Sequence, residues 1–203
     1  MTNRIARTSG LAMALTLALA LHPAAASGQL PGEPRGLMLG AHLAPTTVEF
    51  ESATGSESGV GLGFTLGYAF SPRWALFLTA DGASYEPAGA RGEYTVGHGD
   101  LLLRYSFAGI GGALVPLIEA GIGGRQVETR TEVGTFEASG GTGTLGAGLQ
   151  YFVSAPLGLE AGVRGTFGEL EEVTWGTHRQ EIDESVPSLR WRAGIVWYPQ
   201  IGR

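Results

Sequence analysis

The chain has 203 residues, 34 of them glycine, no cysteine, and a formal net charge of −6 that becomes −8 without residues 1–26. No disulfide can brace it, and the acidic balance argues against a nucleic-acid partner. No apolar run reaches the roughly 20 residues of a membrane-spanning helix, since residues 108–120 are interrupted by Gly111, Gly112 and Pro116.

Arg4 and Arg7 precede an apolar run at 11–21, and small residues follow at 24–28. Eleven apolar residues are too few to anchor a chain in a bilayer, so residues 1–26 read as a cleaved export signal. A Pro/Gly-rich lead-in over 27–35 follows. The first strand sets Leu37, Leu39, Ala41 and Leu43 against Met38, Gly40 and His42. Residues 60–70 give the clearest alternation. Val60, Leu62, Phe64, Leu66, Tyr68 and Phe70 fall on one face, and Gly61, Gly63, Thr65, Gly67 and Ala69 on the other.

Strand three carries Trp74, Leu76, Leu78 and Ala80 on its apolar face, and strand four carries Leu101, Leu103, Tyr105 and Phe107. Strand five, with Ile118, Ala120 and Ile122, alternates more weakly. Strands six to eight repeat the pattern through Leu145 to Val153, Leu159 to Phe167, and Leu189 to Trp197.

Three connections are short, at 71–73, 108–113 and 154–156. Four are long and polar, at about 44–58, 82–93, 126–140 and 168–186. The long ones hold Glu49, Glu51, Glu57, Glu169, Glu171, Glu172, Glu181, Asp183 and Glu184, and they are expected to be water-facing loops outside the cell. Short turns on one rim and long loops on the other predict an all-β fold over 36–199, an eight-stranded antiparallel up-and-down transmembrane β-barrel with a tail at 200–203. A soluble ligand carrier would put its charged face outside, but here the face opposite the large residues is dominated by glycine.

That opposite face also carries Asp81, Asp100, Glu119 and Glu160 together with Arg104, Arg125, Arg164, Arg190 and Arg192. Charges in a narrow lumen are costly unless paired, so these nine are expected to form a lumenal ion-pair network that plugs the barrel, with a gated pore as the alternative. Tyr68, Phe70, Trp74, Tyr105, Phe107, Tyr151 and Trp197 gather at the short-turn end as an aromatic girdle. A thinner girdle of Tyr85 and Phe167 is expected opposite.

With these strands in view, GLMLGAHLA, VGLGFTLGYAF, WALFLTAD, LLLRYSF, LIEAGIG, LGAGLQYFV, LEAGVRGTF and LRWRAGIVWY, the chain resembles the small eight-stranded outer-membrane barrels of the OmpA and OmpX type. The resemblance implies a bacterial outer-membrane location and insertion by the outer-membrane assembly machinery, for which Trp197 and Tyr198 could supply the terminal aromatic. The peptidoglycan-binding domain of the longer OmpA-type proteins is not expected here.

Other motifs weigh less. Gly141 to Gly146 matches GxGxxG, but another alternating strand follows where a nucleotide site needs a helix. His98 and Asp100 share a strand face, as a lipid-modifying or proteolytic enzyme would need, yet the nearest hydroxyls, Ser84 and Thr95, belong to no motif. His42, His98 and His178 are too few to specify a metal site. The expected protein is therefore a monomeric barrel in outer-membrane lipid, without catalytic residues, cofactor or metal. Its role is structural or interactive, with an extracellular ligand reached through the acidic loops.

Overall fold

Alternation at a period of two places large apolar side chains on one face of each strand and small or charged ones on the other, so the sheet must close to hide the second face. The computed structural model describes residues 34–49, 56–85, 93–107, 113–131 and 134–199. The expected export signal, residues 27–33 of the lead-in, residues 108–112 of the 108–113 connection, Glu51 and the tail at 200–203 lie outside those residues. Ten strand segments follow in order: β1 (Gly36–Leu43), β2 (Thr46–Glu49), β3 (Ser56–Ala69), β4 (Trp74–Tyr85), β5 (Tyr94–Ser106), β6 (Leu114–Thr131), β7 (Gly134–Ser154), β8 (Leu157–Trp175), β9 (His178–Ser185) and β10 (Ser188–Trp197).

These segments form eight antiparallel staves in up-and-down order. β1 and β2 are one stave, because both pair with β3 and β10 in a single register: Leu43 faces Leu62 and Thr46 faces Gly59. β9 and β10 likewise continue each other along β8. The ring closes where β1 and β2 meet β10, with Leu39 opposite Trp197 and Val48 opposite Ser188.

Each seam stave is interrupted by a proline. Trp191 N–H donates to the Pro45 carbonyl at 2.8 Å, and Glu49 N–H donates to the Pro187 carbonyl at 3.1 Å. Neither proline has an N–H to return the bond, so closure proceeds without two rungs that an antiparallel ladder would otherwise hold.

At the short rim the connections at 71–73 and 154–156 follow the sequence reading. At its first turn, Ser71 Oγ accepts the Trp74 N–H at 3.0 Å. The long rim differs from it. Residues 126–131 and 134–140, expected as loop, are strand, and residues 168–186 form a hairpin that turns at Gly176 and Thr177. Gly176 has φ +59°, a left-handed conformation that favours glycine in such a tight turn. Polarity suggested loops there, but these segments alternate, with Val127, Ala138, Leu170 and Ile182 packing inward and charged residues between them meeting water. A sparse apolar face is enough to hold such polar strands in the sheet. Glu169, Glu171, Glu172, Glu181, Asp183 and Glu184 therefore stand on strands that extend past the apolar band.

The outer wall of that band is greasy throughout. Val60, Phe64 and Ile122 are 72%, 67% and 70% exposed, while their neighbours of opposite parity point inward.

Candidate functional site

All nine charges singled out in the sequence face the lumen. Eight are buried, and the Glu160 side chain is 12% exposed. They arrange in two layers.

The layer nearer the short turns is built on adjacent staves. Arg104 on β5 lies directly opposite Glu119 on β6, and its Nε and Nη2 donate to Glu119 Oε1 at 2.9 and 2.7 Å. Arg104 also reaches across the lumen to Glu160 at 2.6 Å. Arg164 Nε donates to Glu119 Oε2 at 3.0 Å, and Arg192 bonds Glu119 at 2.9 Å and Glu160 at 3.0 Å. Five side chains from four staves, with Glu160 and Arg164 both on β8, thus share one network of charge-assisted hydrogen bonds. Glycine makes room for it: a Cβ on Gly146 would stand 3.0 Å from Arg164 Cγ and 3.3 Å from Glu119 Oε2.

In the second layer Arg190 bridges Asp81 at 2.9 Å and Asp100 at 2.7 Å, and its Nη2 also donates to Thr166 Oγ1 at 2.8 Å. Thr144 Oγ1 donates to Asp100 at 2.9 Å. Arg125 departs from the sequence expectation, since its contacts are not carboxylates. Its Nε donates to His98 Nε2 at 3.1 Å, its Nη2 to Ser188 Oγ at 3.1 Å, and its Nη1 to the Val186 carbonyl.

His98 is also placed differently. It stands beside Asp81, with Nδ1 3.7 Å from Oδ1, rather than in an Asp100 pair. Cross-strand neighbours, Asp81 opposite His98, outweigh proximity along the chain. Ser188 Oγ lies 3.5 Å from His98 Nε2. Asp81, His98 and Ser188 thereby line up in the order of a hydrolytic triad, a combination invisible in sequence because Ser188 comes from a stave 90 residues away. The Arg125 N–H occupies the lone pair a general base would use, so the arrangement as it stands holds a proton-free nitrogen on a cation.

Apolar clusters close both ends. Toward the short turns Met38, Phe77, Leu102, Val115, Phe152 and Tyr198 pack together, with the Phe77 ring 4.8 Å beneath the Arg104 guanidinium. Toward the long rim Val48, Tyr85, Tyr94, Val96, Leu170 and Val186 form the second cluster. Tyr85 is thus not part of an outer girdle. It is 1% exposed and stacks inside on Tyr94 at 4.8 Å. Its position near the end of β4 suggested an interface, but its parity is that of Asp81. Phe167 does face outward.

The seven short-rim aromatics all lie on the outward parity, and Trp74, Tyr105 and Phe107 form an edge-to-face chain with centroids 4.8 and 5.0 Å apart. The GxGxxG run sits in the middle of β7. Among the described residues no cluster of His, Asp or Glu is arranged to hold a metal ion.

Known proteins carry the same architecture. A family model described as the outer membrane protein beta-barrel domain matches residues 11–177. No curated protein sequence matches the chain. Among solved structures, Neisserial surface protein A superposes with a TM-score of 0.65 at 15% identity, covering 80% of this chain and 97% of its own. Ail, the attachment invasion locus protein of Yersinia pestis, gives 0.53 at 14% identity, covering 80% and 99%. AlkL, solved in lipid bilayers, gives 0.53 at 17% identity, covering 87% and 94%.

Proposed function

The chain belongs to the outer membrane protein β-barrel domain family, and on that footing we propose that it is a closed, non-conducting barrel of the bacterial outer membrane. It acts through its envelope position and its projecting strands rather than by catalysis. The observation that carries this reading is the two-layer ion-pair network held between two apolar clusters. An open aqueous path needs a continuous polar wall, and here the polar wall ends against packed Phe77 on one side and Val96 on the other.

The projecting strands carry Glu128, Glu137, Glu169, Glu171, Glu172, Glu181, Asp183 and Glu184 against Arg130 and Arg179. Such a surface favours basic or cation-bridged partners outside the cell and disfavours polyanions. Ail has been crystallised with the heparin analogue sucrose octasulfate, a ligand this surface would repel. Assembly machinery, surrounding lipid and a monomeric state complete the proposal.

A second reading, a narrow gated pore, draws on one feature: Arg104 already touches both Glu119 and Glu160, so an exchange of partners requires little movement. Single-channel recording on purified protein in a planar bilayer separates the two. No steady openings are expected. Steady openings whose conductance changes in Arg104→Gln would replace the closed barrel with the pore.

A further inference from the structure

The layer of the lumen nearer the short turns sets three arginines, Arg104, Arg164 and Arg192, against two carboxylates, Glu119 and Glu160. The second layer balances itself, Arg190 and Arg125 against Asp81 and Asp100. Arginine does not give up its proton in a protein, so the first layer holds one surplus positive charge. Apolar clusters separate it from water at both rims. Buried charge without a counter-charge is strongly disfavoured, more so inside a wall surrounded by hydrocarbon.

Two guanidinium nitrogens of this layer, Arg164 Nη2 and Arg192 Nε, are buried and have no hydrogen-bond partner among the described residues. Their side chains are 2% and 4% exposed. Against Arg192 and Arg104 lies a small cavity of about 10 Å³, walled also by Gly40, His42, Thr65 and Glu160. That is room for a single particle the size of a water or a little larger. The Glu160 oxygens are already turned to Arg104 and Arg192. The remaining polar groups on the wall, the Thr65 hydroxyl and the His42 ring, can donate.

We propose that this cavity holds one monovalent anion of chloride size, which supplies the missing negative charge and accepts from Arg192 and Thr65. The ion would be taken up as the barrel folds and its charged layers assemble. The lumen is then a three-arginine, three-anion core in which one anion is not part of the chain.

The test is to refold the denatured protein into detergent in sodium bromide, crystallise it, and collect diffraction at the bromine absorption edge. One anomalous peak in the cavity beside Arg192 is expected. The peak should be lost in Arg192→Gln, whose layer is charge-balanced. Cavity density without anomalous signal, the mark of water, would overturn the proposal, and so would a peak that persists at full height in Arg192→Gln. Should that variant not fold, Thr65→Val serves: it removes one donor, leaves every charge in place, and is expected to reduce the bromide peak severalfold. An unchanged peak would contradict the assigned ligands.

Discussion

Arg104 and Glu119 stand directly opposite each other on neighbouring staves, and two guanidinium N–H groups converge on a single carboxylate oxygen at 2.9 and 2.7 Å. Glu119 also neutralises Arg164 and Arg192. Glu119→Gln therefore leaves three buried cations facing a single carboxylate of the chain, beside the proposed anion, and unfolding by urea in detergent should report a loss of about 3–5 kcal/mol. A loss below 1 kcal/mol would mean that water already screens this layer.

Glycines on the two faces should respond in opposite directions. Gly146 points into the lumen, where a Cβ would press on Arg164, so Gly146→Val is expected to cost about 1–3 kcal/mol. Gly99 points outward with nothing within 4 Å of an added Cβ. Gly99→Val is expected to be neutral or to stabilise by up to about 1 kcal/mol, as a β-branched residue replaces glycine in a strand. Urea midpoints of the two variants against the parent decide it.

Pro45 and Pro187 each leave one rung of the closing ladder unmade. Pro45→Val and Pro187→Val restore an N–H at each position, and each should raise stability by about 1 kcal/mol. Slower exchange of seam amides, measured by mass spectrometry in detergent, should accompany the gain.

The four tryptophans divide between membrane and water. Trp74, Trp191 and Trp197 face outward within the apolar band, while Trp175 sits on the projecting hairpin, stacked on Phe136 at 5.5 Å. In single-tryptophan variants, brominated lipid should quench the first three and leave Trp175 bright. Aqueous iodide should do the reverse. Quenching of Trp175 by lipid would lower the hairpin into the bilayer.

Much of the fold was legible in the sequence because lipid and lumen impose opposite demands on alternate residues. The run from Val60 to Phe70 betrays its outward face in every second residue, and the nine lumenal charges betray the inward one. Their partners were not legible. Which carboxylate meets Arg190 depends on stagger around a closed ring, a quantity no single strand encodes, and the pairing of His98 with Asp81 rather than Asp100 follows from the β4–β5 register. The projecting strands were read as loops because they are polar. Polarity reports exposure to water, and the β8–β9 hairpin is mostly exposed, with only Leu170 and Ile182 packed inward, while still hydrogen-bonded along its length.

The lumen, its ion pairs and the lipid-facing wall all depend on closure of β1 onto β10. The chain has no cysteine, so introduced pairs report cleanly. Ala41 and Ile195 are Cα partners across the seam, as are Ala161 and Ala193 across the β8–β10 pair beside it. The first is a hydrogen-bonded pair, about 5.5 Å apart, and the second a non-hydrogen-bonded pair, about 4.5 Å apart, both within disulfide reach. Oxidising folded Ala41→Cys/Ile195→Cys protein should cross-link it as fully as Ala161→Cys/Ala193→Cys, seen as a shift in gel mobility after denaturation. Cross-linking of the second pair without the first would contradict the closed barrel.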